Sequence, residues 1–242
     1  MIHAELRRKL GDEDRLTSTA FGLLRYIPVT HGFLPLFRCV RPMSPTAFPD
    51  LSGVARVEVE FWRYSASFGE PDMILRLLDA NGRTRWVVLV EVKLHSPKSG
   101  RATEDADPAG DAPDPDQLVK YWQLLTTLDE VNAGATPHLV YLTKHAVPPA
   151  DELAESLRRR PDMALGWLSW RDVWAVAKGA DGLPAEDLAR LLAHLGLKRF
   201  DGFTPRAWAA PKRPTFWQQC GWFRRLRPWT TPPVRTFWET PA

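Results

Sequence analysis

Apolar and polar positions along this chain alternate with two different periods, and the sharpest pattern runs from Gly69 to His95. There, two runs built from Met, Ile, Leu and Val are separated by Asn81 and Gly82. Asn-Gly between two such runs predicts an antiparallel hairpin with a two-residue turn. With the turn at Asn81 and Gly82, Ala80 faces Arg83, Asp79 faces Thr84 and, at the far end, Asp72 faces Glu91. Directly opposed residues share a face of the sheet, and Lys93, two positions beyond Glu91, shares it too.

The remaining elements follow from the same reading. Residues 12–27 predict a helix, with Asp12 as N-cap and Pro28 as the stop. At helical spacing Leu16, Thr17, Ala20, Leu24 and Ile27 fall within about 60° of Glu13, so Glu13 heads the buried face, while Asp14 sits about 100° away. Residues 28–53 are a Pro- and Gly-containing connection with room for a short element. Val54 to Trp62 alternates, placing Val57, Val59 and Phe61 on one face and Glu58 and Glu60 on the other, more often a solvated one. Ser96 to Asp116 has the composition of a surface loop. Residues 117–131 predict a helix on which Tyr121, Leu124, Leu128 and Val131 lie within about 40° of Gln117. Strands are expected at His138–Lys144 and Ala164–Trp170, and helices near 150–159, 171–178 and 184–198. The order is helix, three-stranded meander, helix, strand and then mixed elements, which is an α/β arrangement.

Two carboxylates opposed on otherwise apolar strands destabilise a hairpin unless a cation lies between them. A divalent metal is the simplest such cation: Mg²⁺ takes one or two carboxylates, with waters and phosphate oxygens completing its shell. A lysine beside a metal-bound water can help orient it or stabilise charge at phosphorus. Pro71 and Asp72, then Glu91, Val92 and Lys93 after a hairpin, resemble the signature of the PD-(D/E)xK nuclease superfamily. Gln117 and Tyr121 match the QxxxY motif of its RecB-type members. The resemblance covers roughly residues 12 to 145. It implies an αβββαβ core with a mixed central sheet flanked by helices, and cleavage of phosphodiester bonds, most often of DNA, with Mg²⁺ or Mn²⁺. Asp72 and Glu91 would then bind metal with the Val92 carbonyl, Lys93 would assist the water, and Glu13, Gln117 and Tyr121 would complete the site. For Glu13 the alternative is a first-turn acid favouring the helix dipole. For the protein as a whole, the alternative is a catalytically silent subunit that binds nucleic acid or a partner protein.

Composition alters this picture in three places. No apolar stretch exceeds Trp86–Val90, far short of the roughly 18 residues of a membrane span, so a cytoplasmic protein is expected. Cys39 and Cys220 make no disulfide framework, and the histidines show no zinc-ligand spacing. The net charge of +3 is uneven: from Lys198 onward nine Lys or Arg face Asp201 and Glu239, giving +7, against −4 for the rest. Residues 1–199 are expected to form the nuclease-like domain, and 200–242 a basic, Trp- and Pro-rich extension holding five of the eleven tryptophans. Within it Arg224, Arg225 and Arg227 would neutralise phosphates while Trp222 and Trp229 stack on bases. Alternatively, the extension docks on the domain through its tryptophans. Lys98 and Arg101, in the loop beside the carboxylates, could also meet phosphates, or the loop is simply a tolerated insertion. Nucleic acid, a partner protein and a second copy of the chain are the candidate partners.

Overall fold

The computed structural model describes residues 12–46, 48–94 and 116–199. Helices α1 (Asp12–Leu24) and α2 (Phe33–Arg38) come first, followed by strands β1 (Arg41–Pro42), β2 (Arg56–Phe61), β3 (Met73–Leu78) and β4 (Thr84–Lys93). Next are α3 (Gln117–Thr126), α4 (Asp129–Asn132), β5 (Thr136–Thr143), α5 (Ala150–Arg159), β6 (Leu165–Ser169), α6 (Trp170–Gly179) and α7 (Leu183–His194). The strands form one six-stranded mixed sheet in the order β1-β6-β5-β4-β3-β2. β2, β3 and β4 make an antiparallel meander, whereas β5 and β6 run parallel to β4 and β1 caps the β6 edge antiparallel.

Helices cover both faces, so the central strands are apolar nearly throughout, as expected of strands buried on both sides. Met73, Leu75, Leu77, Val88, Val90 and Val92 point to one face, against Leu16, Ala20 and Leu24 of α1, α2, α6 and α7. Ile74, Val87, Leu89 and Tyr141 point to the other, against Leu118, Tyr121, Leu125 and Leu153 of α3 and α5. Alternation in β3 and β4 therefore places Asp72, Arg76, Glu91 and Lys93 on the α3 face. The exposed rim of β2 also matches its pattern: Val57, Val59 and Phe61 pack on the core, while Glu60 pairs with Arg76 at 2.7 Å. Among the described residues no helix is long and apolar enough to cross a membrane.

The hairpin differs from its predicted form at the tip. The Asp79 N–H donates to the Arg83 carbonyl and the Gly82 N–H to the Asp79 carbonyl, each at 3.0 Å, leaving Ala80, Asn81 and Gly82 in the loop. Gly82 has φ +77°, open to glycine at little cost. The Asp79 carboxylate selects this loop by accepting from the N–H groups of Asn81 and Arg83, at 2.9 and 3.0 Å. Leu78 consequently faces Thr84, one residue off the expected pairing, until a bulge at Arg85 restores it from Leu77–Trp86 to Met73–Val90.

Other boundaries shift for local reasons. α1 ends at Leu24, and a turn rather than helix leads into Pro28. The helix expected over 117–131 breaks after Thr126, where the hydroxyls of Thr126 and Thr127 bond to the carbonyls of Gln123 and Leu124, and resumes as α4. Asp116 belongs to α3 rather than to the loop: it is the N-cap, its carboxylate accepting from the N–H groups of Leu118 and Val119. The last helix ends at His194 instead of continuing to 198.

Candidate active site

The site is assembled where paired β3 begins and β4 ends. Met73–Val90 is the last ladder pair, and Asp72 lies one residue beyond it, opposite Glu91. There the Asp72 side chain substitutes for the ladder, its Oδ2 accepting from the Val92 N–H at 2.7 Å. The Val92 carbonyl leaves the strand on the same edge as that N–H, as in any extended residue. Glu91, only 1% exposed, extends its carboxylate toward that of Asp72, and Lys93 Nζ donates to Glu91 Oε1 at 2.6 Å. From the opposite face of the sheet, the first turn of α1 brings Glu13 over the end of β4. Its Oε2 accepts from the Leu94 N–H, and its Oε1 stands 3.8 Å from Lys93 Nζ.

Three carboxylates thus share one ammonium. Burial, and then the charge of Asp72, push the Glu91 carboxyl well above the usual range. Burial likewise raises Asp72 to about 6, against the opposing pull of the Val92 N–H and Lys93. Lys93 is raised as well: the charges of Glu91, Asp72 and Glu13 outweigh its own burial. Burial disfavours the charged form of both carboxyls, and the charge of Asp72 adds to that cost at Glu91. That is a centre short of positive charge.

α3 lines the side of the centre. Gln117 Nε2 donates to the Tyr121 hydroxyl at 3.2 Å, and that hydroxyl donates to the Glu70 carbonyl at 3.0 Å, gripping the Glu70–Pro71–Asp72 segment. Burial, then the charges of Glu91 and Asp72, hold the Tyr121 hydroxyl far above its ordinary value, so it remains a donor. Gln117 Oε1 is buried without a hydrogen-bond partner among the described residues. The helix itself is pinned by Asp116, fully buried, whose Oδ2 accepts from the Ser156 hydroxyl of α5 at 2.9 Å.

Asp72, Glu91, Lys93 and Glu13 therefore converge, Val92 joins through its backbone, and Gln117 and Tyr121 stand beside them as a pair. No bond joins Gln117 to Lys93. Lys98, Arg101, Arg224, Arg225 and Arg227 lie outside the described residues. Two contributors were not anticipated. An Asp directly before a helical pattern is an N-cap signal that identifies Asp116. Trp62, whose N–H donates to the Asp72 carbonyl at 3.2 Å, has φ +50°, a costly backbone state for a bulky residue that no local pattern announces.

The donors suit a hard divalent cation of the Mg²⁺ type: carboxylate oxygens short of positive charge, with a backbone carbonyl on the same edge. Among the described residues no group of three or more His, Cys, Asp or Glu is arranged to hold a metal ion, so the protein itself offers the Asp72–Glu91 pair, with Glu13 engaged by Leu94. Mg²⁺ sites built on one or two carboxylates draw their other ligands from water and phosphate. Two cavities, of about 370 and 470 Å³, are lined by none of these residues, so the centre does not lie in either of them. No family model matches the chain, and no curated protein or solved structure matches it.

Proposed function

We propose that the protein is a nuclease of PD-(D/E)xK type, hydrolysing the phosphodiester backbone of DNA with Mg²⁺ or Mn²⁺. The observation that carries this reading is the buried Asp72–Glu91 pair with Lys93 on Glu91 at 2.6 Å. The order of helix, antiparallel meander, helix and parallel strand supports it, as does the Gln117–Tyr121 pair beside the carboxylates. A structural ion pair would need only one carboxylate for Lys93, and two opposed buried carboxylates cost stability unless they serve a cation.

Asp72 and Glu91 would hold the metal, with the Val92 carbonyl in reach. When bound, the ion would lower the pKa of a coordinated water and offset charge at phosphorus. The chain's own residues do the rest. Lys93, held between Glu91 and Glu13, places an ammonium where it orients the attacking water and stabilises the negative charge that develops. Gln117 Oε1 offers an acceptor to that water, and Tyr121 fixes Asp72 through the Glu70 carbonyl. Glu13 ties α1 to the end of β4 and so sets how far Lys93 can swing.

The test is cleavage of supercoiled and linear DNA with Mg²⁺, Mn²⁺ or EDTA. Metal-dependent cutting, lost in Asp72→Ala, is expected; cutting by Asp72→Ala at the wild-type rate overturns the assignment.

A further inference from the structure

The chain around Asp72 carries an arm that the cleavage chemistry does not use. Past Phe61 and Met73, the last pair of the β2–β3 ladder, irregular contacts continue: Trp62 N–H to the Asp72 carbonyl, then a two-way bond pair between Ser65 and Gly69, each 2.8 Å. Asp72 therefore lies on one side of this arm, with Trp62, Arg63 and Tyr64 on the other. The turn into it is made at Trp62, whose φ of +50° is a strained backbone state for a bulky residue. Strain held next to the carboxylate of the proposed site points to a use for the arm's direction.

Two side chains flank the arm. Tyr64 is 74% exposed, one of the most exposed large apolar side chains among the described residues. Lys120, on α3 between Gln117 and Tyr121, projects across the Tyr121 ring, its Nζ 5.8 Å from the ring centre. That ammonium reaches Gly69, where a Cβ would stand 3.6 Å from it, and it has no carboxylate partner among the described residues. An exposed aromatic ring on the arm that begins at Asp72, and beside the arm an α3 ammonium with no carboxylate partner among the described residues, thus stand near the acid centre. They match the two needs of a single nucleic-acid strand, whose phosphates seek cations and whose unpaired bases seek π-faces.

We infer that the strand entering the acid centre runs along this arm, with a phosphate next to the scissile one on Lys120 and an unpaired base on Tyr64. The favoured substrate is therefore single-stranded or frayed nucleic acid. This rests on the nuclease reading. A continuous duplex keeps its bases stacked inside and has none to offer Tyr64.

The experiment is an anisotropy titration of a labelled single-stranded oligonucleotide and of the matching duplex, using the full chain in EDTA so that neither is cut, across a range of salt. Wild type is expected to bind the single strand more tightly than the duplex. Tyr64→Ala should weaken single-strand binding about tenfold, Tyr64→Phe should restore it, and neither should alter the salt dependence. Lys120→Gln should make the slope of log K against log salt shallower by about 0.7. Tyr64→Ala and Lys120→Gln variants that bind the single strand like wild type, or a wild type that prefers the duplex, overturn the inference. If the wild type still cuts DNA with Mg²⁺ in that event, only the arm is refuted. A wild type that neither binds nor cuts removes the nuclease reading and the arm with it.

Discussion

Two charged clusters lie on the same face of the sheet, four residues apart on one chain segment, and they have opposite characters. At Arg76, one guanidinium joins two carboxylates, bonding to Glu60 of β2 at 2.7 Å and to Glu130 of α4. Burial works against Glu130, yet the Arg76 bonds bring its carboxyl below the usual range, and those same bonds raise Arg76 against its own burial. At Asp72 the balance is reversed. Lys93 serves Glu91, Asp72 and Glu13 with one compact ammonium, Glu91 is almost fully buried, and both strand carboxyls are raised. Arg76 has a planar fork that satisfies two acids at once, while Lys93 is a point charge. The first cluster is closed and holds β2, β3 and α4 together; the second is left wanting a cation.

Removing groups from each cluster should separate the two roles. The largest effect is expected at the second: Asp72→Ala or Lys93→Ala should lower the cleavage rate by at least about 10²-fold, Asp72→Ala with a thermal midpoint near that of wild type and Lys93→Ala with a lower one, because it leaves the buried Glu91 without its ammonium. Equal loss of stability and of cleavage in Asp72→Ala would make this cluster structural.

The pH dependence should come next. Asp72 titrates at about 6 in the folded protein against 3.8 when unfolded, so the folded state binds the extra proton. Its favourable contribution is complete below about pH 4 and is lost as pH rises through about 6, up to ~3 kcal/mol in metal-free protein. Glu91, also raised, acts in the same direction. Chemical denaturation in EDTA at stepped pH should show this fall, and Asp72→Asn should flatten it. A wild-type stability that rises between pH 4 and 6, unchanged in Asp72→Asn, would contradict the raised carboxyls.

Arg76→Met should do the reverse of Asp72→Ala. It leaves Glu130 without its guanidinium and Glu60 with only Arg63, at 3.7 Å, both acids being partly exposed, and should cost about 1–2 kcal/mol in denaturant unfolding without changing the cleavage rate of the folded protein. The smallest effect is expected from Glu13→Gln, which keeps an acceptor for the Leu94 N–H but removes a charge 3.8 Å from Lys93. Cleavage should fall by less than about tenfold, with stability unchanged within about 0.5 kcal/mol.

How far each cluster could be read in advance follows from the range of its contacts. The opposition of Asp72 and Glu91 was legible because strand alternation and an Asn-Gly turn are local signals. Even so, the tip departs from a two-residue turn: the Asp79 carboxylate builds a longer loop, and the Arg85 bulge cancels the offset before it reaches the site. Glu13 was legible as the head of a buried face, but its partner, the Leu94 N–H at the end of β4, was not. Arg76–Glu130 and Asp116–Ser156 span 54 and 40 residues, distances over which periodicity carries no information. Trp62 adopts its backbone state because the arm and Asp72 hold it there, and nothing in its neighbours' identities signals this. The sheet order beyond the meander was open as well, because short apolar strands such as β5 and β6 do not declare their neighbours.

The central claim is that the second cluster, and not the first, takes a divalent cation. Calorimetric titration of Mn²⁺ into substrate-free protein at pH 5.5 and pH 7.5 tests it most directly, comparing wild type with Asp72→Asn and Arg76→Met. Wild type and Arg76→Met should bind one ion, more tightly at the higher pH, and release protons at the lower one as the Asp72–Glu91 pair gives up its own. Asp72→Asn should lose that binding. Retention of wild-type affinity in Asp72→Asn, or its loss in Arg76→Met alone, would contradict the account.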